Sequence, residues 1–299
     1  MQDNPCFSHR EAFERNIGLI TEQELAQLAE KLVIIPGCGG VGGVHAQTLA
    51  RLGVGRFRLA DPDTFALANF NRQIGATMQT LGENKAEVIA GLIWAINPEA
   101  EVTIFKDGVS KENTSEFVAG ADLLIDGIDF FALPMRRALF QAAWRRAIPA
   151  MTSAPLGFSG TLHVFTRPGM SFDRYFDLHD EQPPFEQFVN FLIGLAPAAL
   201  HAPYMDLTTV QPEDGRGPSS IIGAQLAASL AGAEAVRILL GRGPSQCAPH
   251  YLQFDAYRQK LRHGCLIGGN RNWLQRLKRY LAVRRFRELD WEAAFATVQ

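Results

Sequence analysis

The run Gly37-Cys38-Gly39-Gly40-Val41-Gly42-Gly43 is the stretch of this chain best suited to holding a phosphate. Glycines permit a tight turn and let an anion approach backbone N–H groups without meeting a Cβ. An apolar strand, Leu32 to Ile35, precedes the run, and a helix over Val44 to Leu52 follows it. The anion would therefore face the partial positive charge of a helix N-terminus. The next strand, Phe57 to Ala60, ends in Asp61. An acid there, roughly 20 residues after the glycines, can hold ribose hydroxyls. These residues point to a nucleotide and leave NAD, FAD and ATP all open. Pro36 removes a strand amide just before the glycines, which is tolerable if sheet pairing has already stopped.

The elements that would position this loop alternate regularly. Thr21 to Glu30 reads as a helix with a Thr21/Glu24 capping box. A helix from Asn84 to Ile96 stops at Asn97-Pro98, followed by a strand at Val102 to Phe105. A strand at Leu123 to Ile125 leads into Asp126-Gly127, then a helix around Met135 to Arg146 and a strand at Ile148 to Met151. This rhythm predicts a Rossmann-like, doubly wound, mostly parallel α/β sheet. After Gly160 the pattern changes. An extended strand at Thr161 to Phe165 precedes a stretch, Met170 to Pro218, in which no regular period holds. A helix from Ser219 to Leu240, closed by Gly241, and antiparallel edge strands at His250 to Phe254 and Arg258 to Leu261 complete the sheet. The expected organisation is a nucleotide-binding core with an N-terminal helical arm (1–170), a long crossover loop (171–218), a helix and edge strands of the same domain (219–269), and a basic amphipathic tail (270–299).

Four further features stand in order. Asp61-Pro62-Asp63 is followed by Asn69-Phe70-Asn71-Arg72-Gln73, then Lys85 at a helix start, then Asp126-Gly127-Ile128-Asp129 at a strand end. With the glycine loop, this order and spacing resembles the ThiF/MoeB superfamily, which includes ubiquitin-activating enzymes. The resemblance covers about residues 10 to 170 and 217 to 262. It implies ATP and Mg²⁺ as cofactors and adenylation of a carboxylate as the activity. Gly37, Gly39, Gly40, Gly42, Asp61, Asp63, Asn69 and Gln73 would bind the nucleotide. Arg72 and Lys85 would neutralise charge on the α-phosphate and pyrophosphate, Asp129 would position Mg²⁺, and Arg15 would reach into the partner subunit of a homodimer. The chemistry suits these residue types: a charged carboxylate must attack phosphorus, so cations must screen both reactants. The acceptor would be the C-terminus of a ubiquitin-like or sulfur-carrier protein, or a peptide. An NAD(P) or flavin oxidoreductase would leave Arg72, Lys85 and Asp129 without a role. A non-catalytic nucleotide-binding scaffold is the third reading.

The chain departs from the family at three places. It lacks the paired CxxC motifs of a structural zinc site, so none is expected. Its crossover loop holds no cysteine, which argues against a thioester step there, and Cys247 lies near a turn with no assigned role. Phe130 follows Asp129 where the family has Asn.

Bulk properties narrow the setting. Of 299 residues, 47% are hydrophobic and 20% charged, enough for a substantial core. The net charge of −2 provides no global field for nucleic acid. The four cysteines form no disulfide framework and Met1 to Arg10 carries no apolar signal run, so the cytoplasm is expected. Gln187 to Met205 and Gly217 to Ala233 are uncharged, but prolines break the first and the second reads as a buried helix. Asp173, Asp177, His179, Asp180 and Glu181, with His201 beyond, form an acidic cluster that could bind metal. The better reading is a solvated loop able to grip a basic or mixed peptide. The tail places Leu274, Leu277 and Leu281 on one face among many arginines. Docking on its own domain or on a dimer mate is expected there, with membrane contact less favoured.

Overall fold

Alternation within each strand sets the two faces of the sheet. Val33 and Ile35 point to one apolar cluster and Leu32 and Ile34 to another, and Leu123 and Ile125 separate from Leu124 in the same way. A strand buried on both faces belongs in the centre of a two-sided sheet. The computed structural model describes residues 7–206, 208, 217–242 and 246–288. Its strands are β1 (Leu32–Pro36), β2 (Arg56–Ala60), β3 (Glu101–Phe105), β4 (Leu123–Asp126), β5 (Ala150–Thr152), β6 (Pro155–Leu156), β7 (Ser159–Phe165), β8 (His250–Asp255) and β9 (Lys260–Cys265). The order across the sheet is β3-β2-β1-β4-β5-β7-β8-β9, with β6 pairing beside β7. The first five strands in this order are parallel, and β7, β8 and β9 continue antiparallel. The sheet is thus Rossmann-like with an antiparallel extension, as the alternating pattern predicts.

The helices are α1 (His9–Ala12), α2 (Glu22–Ala29), α3 (Gly42–Arg51), α4 (Lys85–Ile96), α5 (Thr114–Val118), α6 (Leu133–Arg145), α7 (Phe172–Phe176), α8 (Pro184–Leu195), α9 (Ile221–Leu239) and α10 (Trp273–Glu288). On one face α3 packs between α4 and α9, and on the other α6 packs against α5 and α7. Thr21 and Glu24 cap α2 reciprocally, as expected. The apolar helix α9 is long enough to cross a membrane by length and composition. Here its small residues Gly223, Ala224, Ala227, Ala231 and Ala235 are buried, and it packs on α3 and β7 as a core helix. Gly241, at φ +61°, ends it in the left-handed conformation.

Three expectations are corrected. Pairing does not stop before Pro36, which stays in register with Ala60 of β2. Its carbonyl accepts from the Gly127 N–H, 2.9 Å away, while the β1–β4 register ends at Ile34. The missing amide therefore interrupts no ladder. Second, β9 begins at Lys260 and runs to Cys265, because the residues before it form a turn. Asp255 accepts the Arg258 N–H in that turn, and Gln259 has φ +53°. Third, the crossover segment is not aperiodic. Phe185, Phe188, Val189 and Leu192 keep a helical spacing that the flanking prolines conceal, and α8 forms there with Phe191 and Leu195 also buried. Together with α7 it completes the core over β5 and β7. The rest of that segment (207 and 209–216) lies outside the described residues. The tail helix α10 docks on its own domain, against α8, as expected; Gln275 and Phe286 are buried, while Leu274, Leu277 and Leu281 face outward.

Two histidines lie wholly inside. Burial pushes the pKa of His45 and of His163 down to about 3, and neither ring nitrogen of His45 has a hydrogen-bond partner among the described residues. Unfolding returns both to a pKa near 6.5. Their neutral burial is fully tolerated above that value, and stability falls as pH drops from 6.5 toward 3, where the unfolded chain takes up protons the fold refuses. At pH 5 each costs about 2 kcal/mol on this basis. Urea midpoints at pH 7.5 and 5.0 should differ for the wild type. The difference should shrink in His163→Phe, whose ring would join Phe165, Tyr175 and Phe176. An unchanged pH slope in that variant would show that His163 does not contribute.

Candidate active site

Ligands of open parallel sheets gather at the carboxyl ends of the strands, where the strand order reverses. Here the reversal lies between β1 and β4, and the segments leaving these two strands touch. Gly37 has φ +86° and its carbonyl packs directly against the Cα atoms of Gly42 and Gly127, so a side chain at any of the three would collide with backbone. Gly39 and Gly40 differ. A Cβ there would meet only side chains, Gln73 at 3.5 Å and Arg72 at 3.7 Å. The first three glycines bring the loops together, and the other two leave a shallow cradle beneath Arg72 and Gln73. Helix α3 opens from this cradle with no side-chain cap on its first N–H groups, which leaves donors for an anion. The Gln73 side-chain oxygen is buried without a partner among the described residues. A group with hydrogen-bond capacity fits at this position.

Asp61 ties the loops below. One carboxylate oxygen accepts the Cys38 N–H at 2.7 Å and the other the Asp63 N–H at 2.9 Å. Burial raises its pKa, against those two bonds and the attraction of Lys85. Its carboxylate has further lone pairs for a ribose hydroxyl, so that contact would add to the structural ones. Asp63 is itself exposed and holds the ammonium of Lys85 at 2.8 Å, while Lys85 is only 7% exposed. Asn69 is turned toward its own segment, its side-chain oxygen accepting the Ala66 N–H and its backbone carbonyl the N–H groups of Arg72 and Gln73. Arg72 is half-buried, bonded to Ala68 and Asn71. Burial lowers its pKa and the nearby Asp129 carboxylate opposes the shift. Asp129 is exposed, with one oxygen accepting the Phe131 N–H at 3.0 Å.

The fold thus brings Gly37, Gly39, Gly40, Gly42, Asp61, Asp63, Asn69, Arg72, Gln73, Lys85 and Asp129 to one edge of the sheet. It does not bring Arg15. Asn16, its neighbour, bonds the carbonyl of Arg51 at the far end of α3, while the glycine loop is at the near end. Ten helical residues put about 15 Å between them. Nor does the acidic cluster assemble as a metal site, and among the described residues no group of three or more His, Cys, Asp or Glu is placed to hold one. Asp173 and Asp180 pair with Arg137. Asp177 pairs with Arg271, Arg279 and His179, and His201 contacts Gln253. Asp173, Asp177 and Asp180 are engaged by the chain's own arginines, and the metal reading is corrected for the described residues.

A model of the ThiF family matches residues 13–272. The chain belongs to the ThiF family. It is 36% identical over 149 residues to the tRNA threonylcarbamoyladenosine dehydratase of Escherichia coli, covering 50% of this chain and 55% of that protein. To the sulfur carrier protein adenylyltransferase of Thermus thermophilus it is 28% identical over 260 residues, covering 85% and 84%. The chain spans about half the length of the dehydratases it matches from three bacteria. Among solved structures, PaaA superposes with a TM-score of 0.66 at 21% identity, covering 89% of this chain and 87% of that one, which shows a shared fold.

Two positioning residues of this ThiF-family chain escaped the sequence reading. Asn84 caps α4 through the Glu87 N–H and donates to the carbonyls of Asp61 and Lys106, so it binds the Lys85 turn to the end of β2. An Asn before a helix-starting Lys was its visible signal. Arg136 had none, since it lies ten residues from its partner. It is 3% exposed and its Nε donates to the buried Asp126 at 2.8 Å. Its remaining nitrogens bond the carbonyls of Ile128, Asp129 and Phe130, and its plane lies over Phe191. One guanidinium therefore holds the whole segment that carries Asp129. Removing one member of a buried pair costs about 3–5 kcal/mol, whereas replacing both is far milder. Arg136→Met should lower urea stability by that amount, and adding Asp126→Asn should restore part of it. If the double variant is as unstable as the sum of the singles, the pair is not the element holding this segment.

Proposed function

We propose that this protein binds ATP with Mg²⁺ and adenylates a carboxylate on a small carrier protein or peptide. The observation that carries the reading is the convergence of two cations and one exposed carboxylate, Arg72, Lys85 and Asp129, around an open glycine cradle. Membership of the ThiF family and the 84% coverage of a sulfur carrier protein adenylyltransferase support it. A dinucleotide oxidoreductase would require the cradle and Asp61 but neither cation.

The α3 N–H groups and Gly39–Gly40 would receive the phosphates, Asp61 and Asn69 the ribose side, and Arg72 the α-phosphate from above. Lys85 would meet the phosphates from its buried position. A carboxylate oxygen of the acceptor attacks the α-phosphorus, and the bond from that phosphorus to the bridging oxygen breaks, releasing pyrophosphate. The attacker is already ionised, so no general base is needed. What the site must supply is positive charge placed in advance for the charge that builds on the phosphates. Asp129 fits Mg²⁺, which keeps most of its waters and takes one or two carboxylates together with substrate phosphates. Because Arg15 lies far from its own chain's cradle, we infer that the active form is a homodimer in which Arg15 completes the partner's site. The crossover segment holds no cysteine, so no thioester step is assigned to it. The free thiols Cys38, Cys247 and Cys265 suit a reducing compartment, and we place the protein in the cytoplasm.

Exchange of labelled pyrophosphate into ATP, driven by a candidate carrier protein, tests the chemistry. Arg72→Ala, Lys85→Ala and Asp129→Ala should each lower exchange at least about 100-fold, the scale expected for lost transition-state charge stabilisation, with circular dichroism unchanged. ATP binding measured by calorimetry against NAD⁺ separates the two nucleotides, and NAD⁺ binding without ATP binding would overturn the proposal. Mixing inactive Arg15→Ala with inactive Asp129→Ala should restore activity, since a mixed dimer contains one intact site. No recovery on mixing would place Arg15 outside the reaction.

A further inference from the structure

Helix α10 is docked the unexpected way round. Its inward face is held by polar groups: Gln275 donates to the Ile193 carbonyl at 3.0 Å, Lys278 to the Pro197 carbonyl at 2.6 Å, and Arg279 faces Asp177. Phe286 alone inserts as a large apolar anchor, beside Phe185, Phe188 and Val189. The outward face carries Trp273, Leu274, Leu277, Tyr280 and Leu281, all between 47% and 70% exposed. These positions recur at helical spacing and make one continuous apolar stripe. An exposed apolar patch rimmed by polar groups marks an interaction surface.

The rim shows what kind of partner fits. Arg276, Arg284 and Arg285 border the stripe and are exposed. Among the described residues of the helix, the acid at its end is Glu288, and it is already engaged by Arg284 and Arg285. A second copy of the helix would bring the same arginines against these, which like-charge repulsion opposes. An acidic segment with apolar residues on one side is complementary in both respects. The stripe is one helix wide and runs about 12 Å from Trp273 to Leu281, the footprint of a single peptide segment. The cluster around Phe286 includes Phe130 and Phe131, the two residues after Asp129. Phe286 lies on the inward face, so this cluster ties α10 to the segment carrying Asp129 while the stripe stays turned to solvent.

We propose that the outward face of α10 docks an acidic, amphipathic segment of the carrier protein or peptide whose carboxylate is adenylated. This rests on the adenylation reading for the identity of the partner, but the docking itself can be tested without catalysis. The probe is a fluorescein-labelled 14-residue peptide with Leu at helical spacing and Glu elsewhere, and its counterpart with Lys in place of Glu. Anisotropy should show the Glu peptide bound by the full chain and the Lys peptide unbound. Leu277→Asp with Leu281→Asp should weaken binding at least 10-fold, and Arg284→Ala with Arg285→Ala should weaken it and reduce its salt dependence. Both double variants change exposed residues, so ATP binding by calorimetry should be preserved and reports that they fold. Asp129→Ala should bind the peptide normally, so loss of activity and loss of docking are separable. Equal binding of both peptides, or no effect of the leucine variant, overturns the proposal. So does a stripe that binds anionic phosphatidylglycerol vesicles and not the Glu peptide, or a leucine variant that converts a dimer to a monomer in sedimentation without altering peptide binding.

Discussion

How near the chain leaving β1 can come to the chain leaving β4 governs the whole candidate site. Gly37, Gly42 and Gly127 permit backbone-to-backbone contact there, and no side chain fits between them. This contact sets the tilt of α3, and hence the direction of its uncapped N–H groups. It also sets the height at which Asp129 stands over the cradle. Two devices then fix what the contact has brought together. Asp61 clasps the loop after β1 from one side, and Arg136 clasps the loop after β4 from the other. Both are buried charges satisfied by backbone groups, which is the condition under which such charges are tolerated. The site is thus assembled from short loops whose freedom has been removed, and its exposed charges are left for a ligand.

The helices surrounding this edge follow from the same need to cover a two-sided sheet. On one face α3, α4 and α9 pack closely because α9 offers small residues to its neighbours. On the other face α5 and α6 cover the parallel strands, and α7 and α8 continue the layer where the sheet turns antiparallel. The arginines Arg137, Arg271 and Arg279 pin the acidic turn between α7 and α8 to α6 and to the C-terminal segment. That turn looked in the sequence like a free ligand loop, and in the fold it is a joint.

The parallel half of the sheet and most of the site were legible because local pattern carries them. Strand-helix alternation, the glycine run and acids at strand ends are all readable within windows of a few residues. The positions of Arg72, Lys85 and Asp129 followed from their order along the chain. What was not legible depends on contacts distant in sequence. The partners of Asp173 and Asp177 lie 36 and 94 residues away, and Arg136 is linked to its role only through a folded loop. Helix α8 was hidden for a different reason. Its apolar residues keep a helical spacing, but Pro183 and Pro184 before them and Pro197 after them read in a short window as breaks. In α10 the leucine periodicity lies on the face turned to solvent. Hydrogen bonds from Gln275 to the Ile193 carbonyl in the last turn of α8 and from Lys278 to the Pro197 carbonyl just after it set its orientation.

The pair between Lys85 and Asp63 has a thermodynamic consequence. The ammonium of Lys85 is almost wholly enclosed, while the side chain of Asp63 is 68% open to water. An anion reaching Lys85 therefore makes a swap: it takes over a cation already neutralised, and the displaced carboxylate is released to solvent where hydration is cheap. The enclosed ammonium never passes through an uncompensated state. The net gain from such a swap is only the difference between two anions, so this lysine contributes discrimination, favouring a multiply charged phosphate over any single carboxylate or chloride, more than it contributes tightness.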